Sequence, residues 1–346
     1  MAVIFVNAGE SINDAINDLN TNPGDTIRVA AGIFNEIVDI PAGLDRLRLI
    51  GAGIGQTILD GTGASDSDGI NINSNHVTIK GLTVKDYVFS GINIISSDNI
   101  IRDVEVLNNG QSGIDNDSGD RNLIFKVIAE ENGADGIHLD GNNNYVIECK
   151  ANENESFGIV LHGANNLVLN SRVTGNQSDG FDVAGSGPSI VINNVSKNNG
   201  DDGIAVSSNG NLIFGNRANR NTDDGIELGE FNDNLLFNNN VKNNSGDGID
   251  AAGGDNNKFI ANKVKKNAFT GIELDSDSDQ NIVDQNLVKK NVGPGILLTS
   301  TAEDNAVREN TLSGNTPDIQ ADDPADENNT FDENNCQTSS PPGLCS

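Results

Sequence analysis

Hydrophobic and polar positions alternate along this chain in short bursts that return on a fixed beat. A Gly–Ile step, once Gly–Phe, recurs at Gly69, Gly91, Gly113, Gly136, Gly158, Gly180, Gly203, Gly225, Gly248, Gly271 and Gly295, at intervals of 22 to 24 residues. Within each interval lie three short alternating segments separated by Asn, Gly and Asp; in 200–221 they are GIAV, NLIF and RAN. Period-two alternation predicts strands, and three strands per repeat predict one coil of a solenoid. A period near 22 also suits leucine-rich repeats, but their L-x-x-L-x-L core is missing and Ile and Val dominate. The pattern therefore predicts an all-β, right-handed parallel β-helix of about thirteen coils.

Asparagine keeps the same beat. One column runs through Asn99, Asn122, Asn144, Asn166, Asn211, Asn234, Asn257, Asn281 and Asn305, a second through Asn194, Asn216, Asn239, Asn262, Asn286 and Asn310. A third holds Asn109, Asn132, Asn154, Asn176, Asn199, Asn221, Asn244, Asn267, Asn291 and Asn315. Stacked coils set such residues ~4.8 Å apart, where amides can bond to those above and below, and Asn also tolerates left-handed turns. Residues 11–19 predict a short amphipathic cap helix with Ser11 as N-cap. Strands follow at Thr26–Ala30, Ile37–Ile40, Leu47–Ile50 and Thr57–Asp60. The organisation expected is one domain: cap and first coils over 1–62, coils over 63–336, and a Pro/Ser-rich tail over 337–346.

Composition narrows the function. The 346 residues include 55 Asn, no Trp and 2 Tyr, and 21 basic against 51 acidic side chains give a net charge of −30. Nucleic acid is not expected as a partner, since its binding rests on cations that neutralise phosphates. An anionic membrane surface would be repelled, and no apolar run reaches the ~18 residues of a membrane span. The N-terminus shows no signal peptide. Cys149 stands alone, while Cys336 and Cys345, nine apart, are placed to pair.

The stretch 10–62, with ESINDAINDLN, GDTIRVAAGIFNEIVDI and LRLIGAGIGQTILDG, resembles the cap and first coils of the pectin-lyase-like superfamily. The coils over 69–334 resemble the generic repeat that this superfamily shares with mannuronan C5-epimerases and nitrous-oxide-reductase maturation proteins. The resemblance implies the β-helix fold and a carbohydrate-active or carbohydrate-binding protein outside the cell or at a cell or spore surface. It does not fix a reaction, because one scaffold hosts lyases, hydrolases, epimerases and non-enzymes. The Y-G-F-D-P-H motif of mannuronan epimerases aligns with Phe157, Gly158, Ile159, Val160, Leu161 and His162, so its Tyr falls on Phe157 and its Asp on Val160. Phe cannot pass a proton and Val cannot neutralise a carboxylate. Asn221-Thr222-Asp223 and Asp201-Asp202 resemble polygalacturonase elements, but the G-H-G and R-I-K partners are absent. Lyases of the superfamily use Arg or Lys near the uronate, whereas here the basic side chains fall on the third strand. Lys150, Arg172, Arg217 and Lys263 form one column, and Lys197, Lys242, Lys265 and Lys289 another.

Two polar constellations carry chemistry. Outward first-strand positions gather Asp115, His138, Asp140, His162 and Asp182, with His162 expected over Asp140 and His138 over Asp115. An imidazole beside a carboxylate has a raised pKa and can serve as acid or base, and the same group can hold a divalent metal. Asp179, Asp202, Asp224 and Asp247 precede Gly in successive coils, with Glu227 and Asp250 close by. Converging hard oxygens suit Ca2+, the alternative being a wet acidic face. A −30 surface repels a polyuronate, so the polysaccharide partner expected is neutral or bridged by calcium.

A third feature is apolar. The outward residues of the second strand read Phe125, Ile147, Leu169, Ile192, Phe214, Phe237 and Ile260. A bare stripe of that kind is rare on a monomer. It predicts either association with other copies as a homo-oligomer, in a non-catalytic assembly protein, or cover from residues 316–346.

Overall fold

The computed structural model describes residues 1–64 and 67–345, as two compact units, Met1–Arg172 and Val173–Ser346. Both are built from short parallel strands, each hydrogen-bonded to its equivalent one coil away. The first-strand sheet of the first unit is Val38–Ile40, Ile70–Ile72, Ile92–Ile94, Ile114–Asn116, Ile137–Leu139 and Ile159–Leu161. In the second unit it is Phe181–Val183, Ile204–Val206, Ile226–Leu228, Ile249–Ala252, Ile272–Asp275, Ile296–Leu298, Ile319–Ala321 and Ser339–Ser340. The solenoid makes about fifteen turns in all, more than the thirteen coils expected. The added turns come from strands at both ends that the repeat pattern did not cover, such as Val3–Val6 and Ser339–Ser340.

In the regular coils the central residue of most second and third strands points inward, and the two beside it point out. Leu212–Phe214 shows the pattern, with Ile213 fully buried between two half-buried neighbours. On the first strand the reverse holds: Ile226 and Leu228 are buried and Glu227 faces out. In the first unit the second and third strands fuse into the continuous strands Thr78–Lys85 and Ile100–Leu107.

The cap helix spans Ile12–Asn17, and the Ser11 side chain accepts from Asp14 N as expected. It buries Ile12 and Ile16 against strands Val3–Val6, Thr26–Val29 and Val38–Ile40. Glu36 completes the cap, accepting from the Ile12 and Asn13 amides at 2.8 and 3.1 Å. At the other end, Cys336 and Cys345 form a disulfide. Residues 316–345 do not fold back as a cover. They continue the coils, Ile319 pairing with Ile296 and Ser339 with Ile319.

The asparagine columns are buried ladders. In each, Oδ1 accepts the backbone N–H of its equivalent in the preceding coil: Asn216 N donates to Asn239 at 2.9 Å, and Asn239 N to Asn262 at 2.9 Å. Left-handed backbone belongs instead to the residue just before the ladder, as at Asn193 (φ 56°), Asn238 (55°) and Lys266 (58°). The turn and the ladder are thus adjacent residues with separate tasks. Gly91 of the recurring step has ordinary φ. It is glycine because a Cβ there would lie 2.1 Å from Val106 Cγ1 and 2.8 Å from the Asn109 amide.

Candidate functional site

In the first unit, strand register sets Asp115 beside His138 and His138 beside Val160. Val160 is fully buried although it stands at an outward position. His138 is held at both nitrogens: Nδ1 lies 2.8 Å from Asp135 Oδ2 and Nε2 lies 3.0 Å from Asp140 Oδ1. That same Asp140 oxygen is 3.3 Å from His162 Nδ1. The two imidazoles meet edge to face with centroids 5.0 Å apart. Asp135 is anchored in turn, its other oxygen accepting Phe157 N–H at 3.1 Å.

This geometry sets the charges. Burial alone would lower the His138 pKa, but hydrogen bonds to Asp135 and Asp140 outweigh it and raise it to about 9. The ring is therefore an imidazolium at neutral pH. Burial opposes ionisation of Asp135 too, yet bonds from His138, Ser156 and the Phe157 amide hold it below its usual range. Among the described residues Asp115 meets no such donor. Burial, then the charge of Asp117, pushes it up to about 6. His162 is the more open ring, its side chain 40% exposed against 21% for His138.

Asp135 is the residue the sequence reading missed. It stands in the Asp-before-Gly column, three residues ahead of His138, and that spacing was the available signal. Asp182 belongs to the second unit, in register with Ala205.

In that unit the Asp-before-Gly column is not a wet face. Asp179, Asp202 and Asp224 are 8%, 6% and 9% exposed. Each spends one oxygen on the N–H of the following coil, the opposite sense to the asparagines: Asp202 N donates to Asp179 at 2.8 Å, Asp224 N to Asp202 at 2.7 Å and Asp247 N to Asp224 at 2.5 Å. Glu227 and Asp250 stand beside them in register on the first strand. Burial and mutual repulsion push Asp179 and Asp224 to about 7 and Asp250 to about 8, and push Asp202 well up. Oxygens of Asp179, Asp201 and Asp202, and of Asp202, Asp223 and Asp224, converge within 4.8 Å, as do ligand atoms of His138, Asp140 and His162. Each group has the donors to hold a metal ion.

The apolar stripe is real and half-buried in both units. Phe125, Ile147 and Leu169 stand in register in the first. Ile192, Phe214, Phe237 and Ile260 do so in the second, where the Phe214 and Phe237 rings stack 5.3 Å apart. Among the described residues no helix is long and apolar enough to cross a membrane.

Parallel coils, buried asparagine ladders and a polar first-strand face define a right-handed parallel β-helix repeat protein. The family model "Right handed beta helix region" matches residues 68–216, and "Periplasmic copper-binding protein (NosD)" matches 199–340. No curated protein sequence matches the chain. Among solved structures it is similar to the A-module of the mannuronan C-5 epimerase AlgE6 from Azotobacter vinelandii, at 16% identity and TM-score 0.59, covering 94% of this chain and 89% of that one. The Dettilon tailspike protein gp208 superposes with TM-score 0.67 at 17% identity, covering 94% and 70%. The PL6 family polysaccharide lyase Pedsa3628 from Pseudopedobacter saltans gives 0.55 at 13%, covering 97% and 92%.

Proposed function

We propose that this β-helix acts on a polysaccharide laid along the first-strand face of residues 1–172, outside the cell or at its surface. His138, Asp140 and His162 are its acid/base centre, with Asp135 and Asp115 in support. One observation carries the reading: an imidazolium gripped by two carboxylates shares one of them with a second, more open histidine. Asp140 orients His162 as a carboxylate orients a general base. The fixed charge of His138 stabilises negative charge that develops on the sugar, which costs no reorganisation during reaction. Asp115, half protonated near pH 6, is a proton donor beside it. Asp182 is assigned to the acidic row of the second unit, not to this centre. Neighbours of the same fold named as an epimerase and a polysaccharide lyase support the substrate class.

The acidic row is assigned to Ca2+, held by the outer oxygens of Asp179, Asp202, Asp224 and Asp247 with Glu227 and Asp250. Residues 199–340 contain no His or Met, and their one cysteine, Cys336, is disulfide-bonded. Carboxylate donors of this kind suit a hard cation and not copper.

The test is turnover on a panel of neutral and acidic polysaccharides, read as new reducing ends and as unsaturated product. Wild type turns over at least one polymer, and H162A and H138A each lower the rate by at least ~100-fold with the circular dichroism spectrum unchanged. Full activity in both variants, or none in wild type with or without calcium, refutes the centre.

The stacked Phe214–Phe237 pair favours a second reading, a non-catalytic protein that assembles with its own copies through the second-strand stripe. Light scattering decides it, since F237D then dissociates an oligomer that H138A leaves intact.

A further inference from the structure

In the second unit the third strands and the turns that follow them, 195–198, 217–220, 240–243, 263–266 and 287–290, carry nine basic residues and no acidic one. The chain as a whole is −30. Chance scatter of 21 cations among 51 anions does not leave one face so clean. Lys242, Lys265 and Lys289 are register partners on three successive coils, a straight row of ammonium groups ~4.8 Å apart. Lys263 and Lys266 flank Lys265, and with Asn240 and Asn243 they line a shallow groove. Among the described residues, none of these five lysines makes an ion pair with a carboxylate. Burial, and then the neighbouring Lys263 and Lys289, hold the Lys265 ammonium below its usual pKa.

We propose that this third-strand face binds a linear acidic polysaccharide, whose carboxylate or sulfate groups pair with the lysine rows along the coil axis. Compact ammonium groups act as point charges and do not demand the forked geometry of guanidinium, which suits anions presented along a flexible chain. Nucleic acid is disfavoured, because these columns offer no aromatic side chain on which single-stranded bases could stack. The acidic first-strand face of the same coils turns such a polymer away, so it meets the protein from the opposite charge side. The inference stands apart from the His138 centre and survives if that centre proves inert.

Binding of labelled polygalacturonate and dextran sulfate, with uncharged dextran as control, tests it by fluorescence anisotropy. Both polyanions bind at ~50 mM salt and weaken by about tenfold or more at ~500 mM, while dextran does not bind. K242Q/K265Q/K289Q lowers affinity by about tenfold or more and flattens the salt dependence. It melts no lower than wild type, because the charges removed repel one another. K263Q/K266Q lowers affinity as well. The proposal is overturned if neither polyanion binds, if both lysine variants bind as wild type, or if a single-stranded oligonucleotide of equal charge binds more tightly than polygalacturonate.

Discussion

Replacing Asn239 by alanine removes one rung from the middle of a buried ladder, and the loss can be traced atom by atom. The Asn216 backbone N–H loses its acceptor at 2.9 Å, the Asn216 amide loses a contact at 3.2 Å, and the Ile213 carbonyl loses a donor at 2.8 Å. Asn239 is 1% exposed, so water does not replace these partners unless the coils part. One orphaned buried N–H costs about 1–3 kcal/mol, and with the vacated space the total is about 3 kcal/mol. Aspartate is worse at neutral pH. It still accepts from Asn216, but sets an anionic oxygen against the Ile213 carbonyl and against Asn262 Oδ1, where the amide now donates at 2.8 and 3.0 Å. The control is the adjacent residue: Asn238 is exposed and left-handed at φ 55°, so N238G lies within about 0.5 kcal/mol of wild type. Guanidinium unfolding followed by far-ultraviolet circular dichroism measures all three, since the chain has no Trp. An N239A variant as stable as wild type, or an N238G variant as damaged as N239A, would refute the division of labour between ladder and turn.

Further outcomes follow from the sites. His138 has a folded pKa of about 9 against ~6.5 unfolded, so its contribution is full below pH ~6.5 and is lost as pH rises through about 9. After discounting for its partial exposure, H138Q therefore costs about 1–2 kcal/mol at pH ~6 and little at pH ~10, read from melting curves across that range. Millimolar Ca2+ raises the melting temperature of wild type by a few degrees and leaves D202N/D224N unmoved, and an equal rise in the variant sinks the calcium assignment. If the stripe is an interface, F237D lowers the mass seen by light scattering without lowering the melting temperature of the monomer.

The fold was legible because a solenoid writes its geometry as a period. Ile213, Ile226 and Asn216 declare inward and ladder positions by recurring 22 or 23 residues on. The ends were less legible, because Val3–Val6 and Ser339–Ser340 follow no repeat and owe their strands to the coil they cover. His162 over Asp140 could be placed by counting alternation. Asp135 could not, because it sits at the turn before the strand, where alternation assigns no side-chain direction. The Asp column was legible as a column but not as buried: only the structure shows each carboxylate accepting the N–H of the next coil.

The ladders are directional. Within each unit an asparagine-ladder N–H donates forward, to an oxygen that lies 22 to 24 residues later in the chain. An asparagine rung is therefore closed only by the coil that follows it, whereas the Asp column runs the other way, each N–H donating to the coil before. The last rung of the third column, Asn315, has no successor in that column. There Asn315 N donates to Asp318 Oδ1, only three residues on, so the chain supplies its own stop.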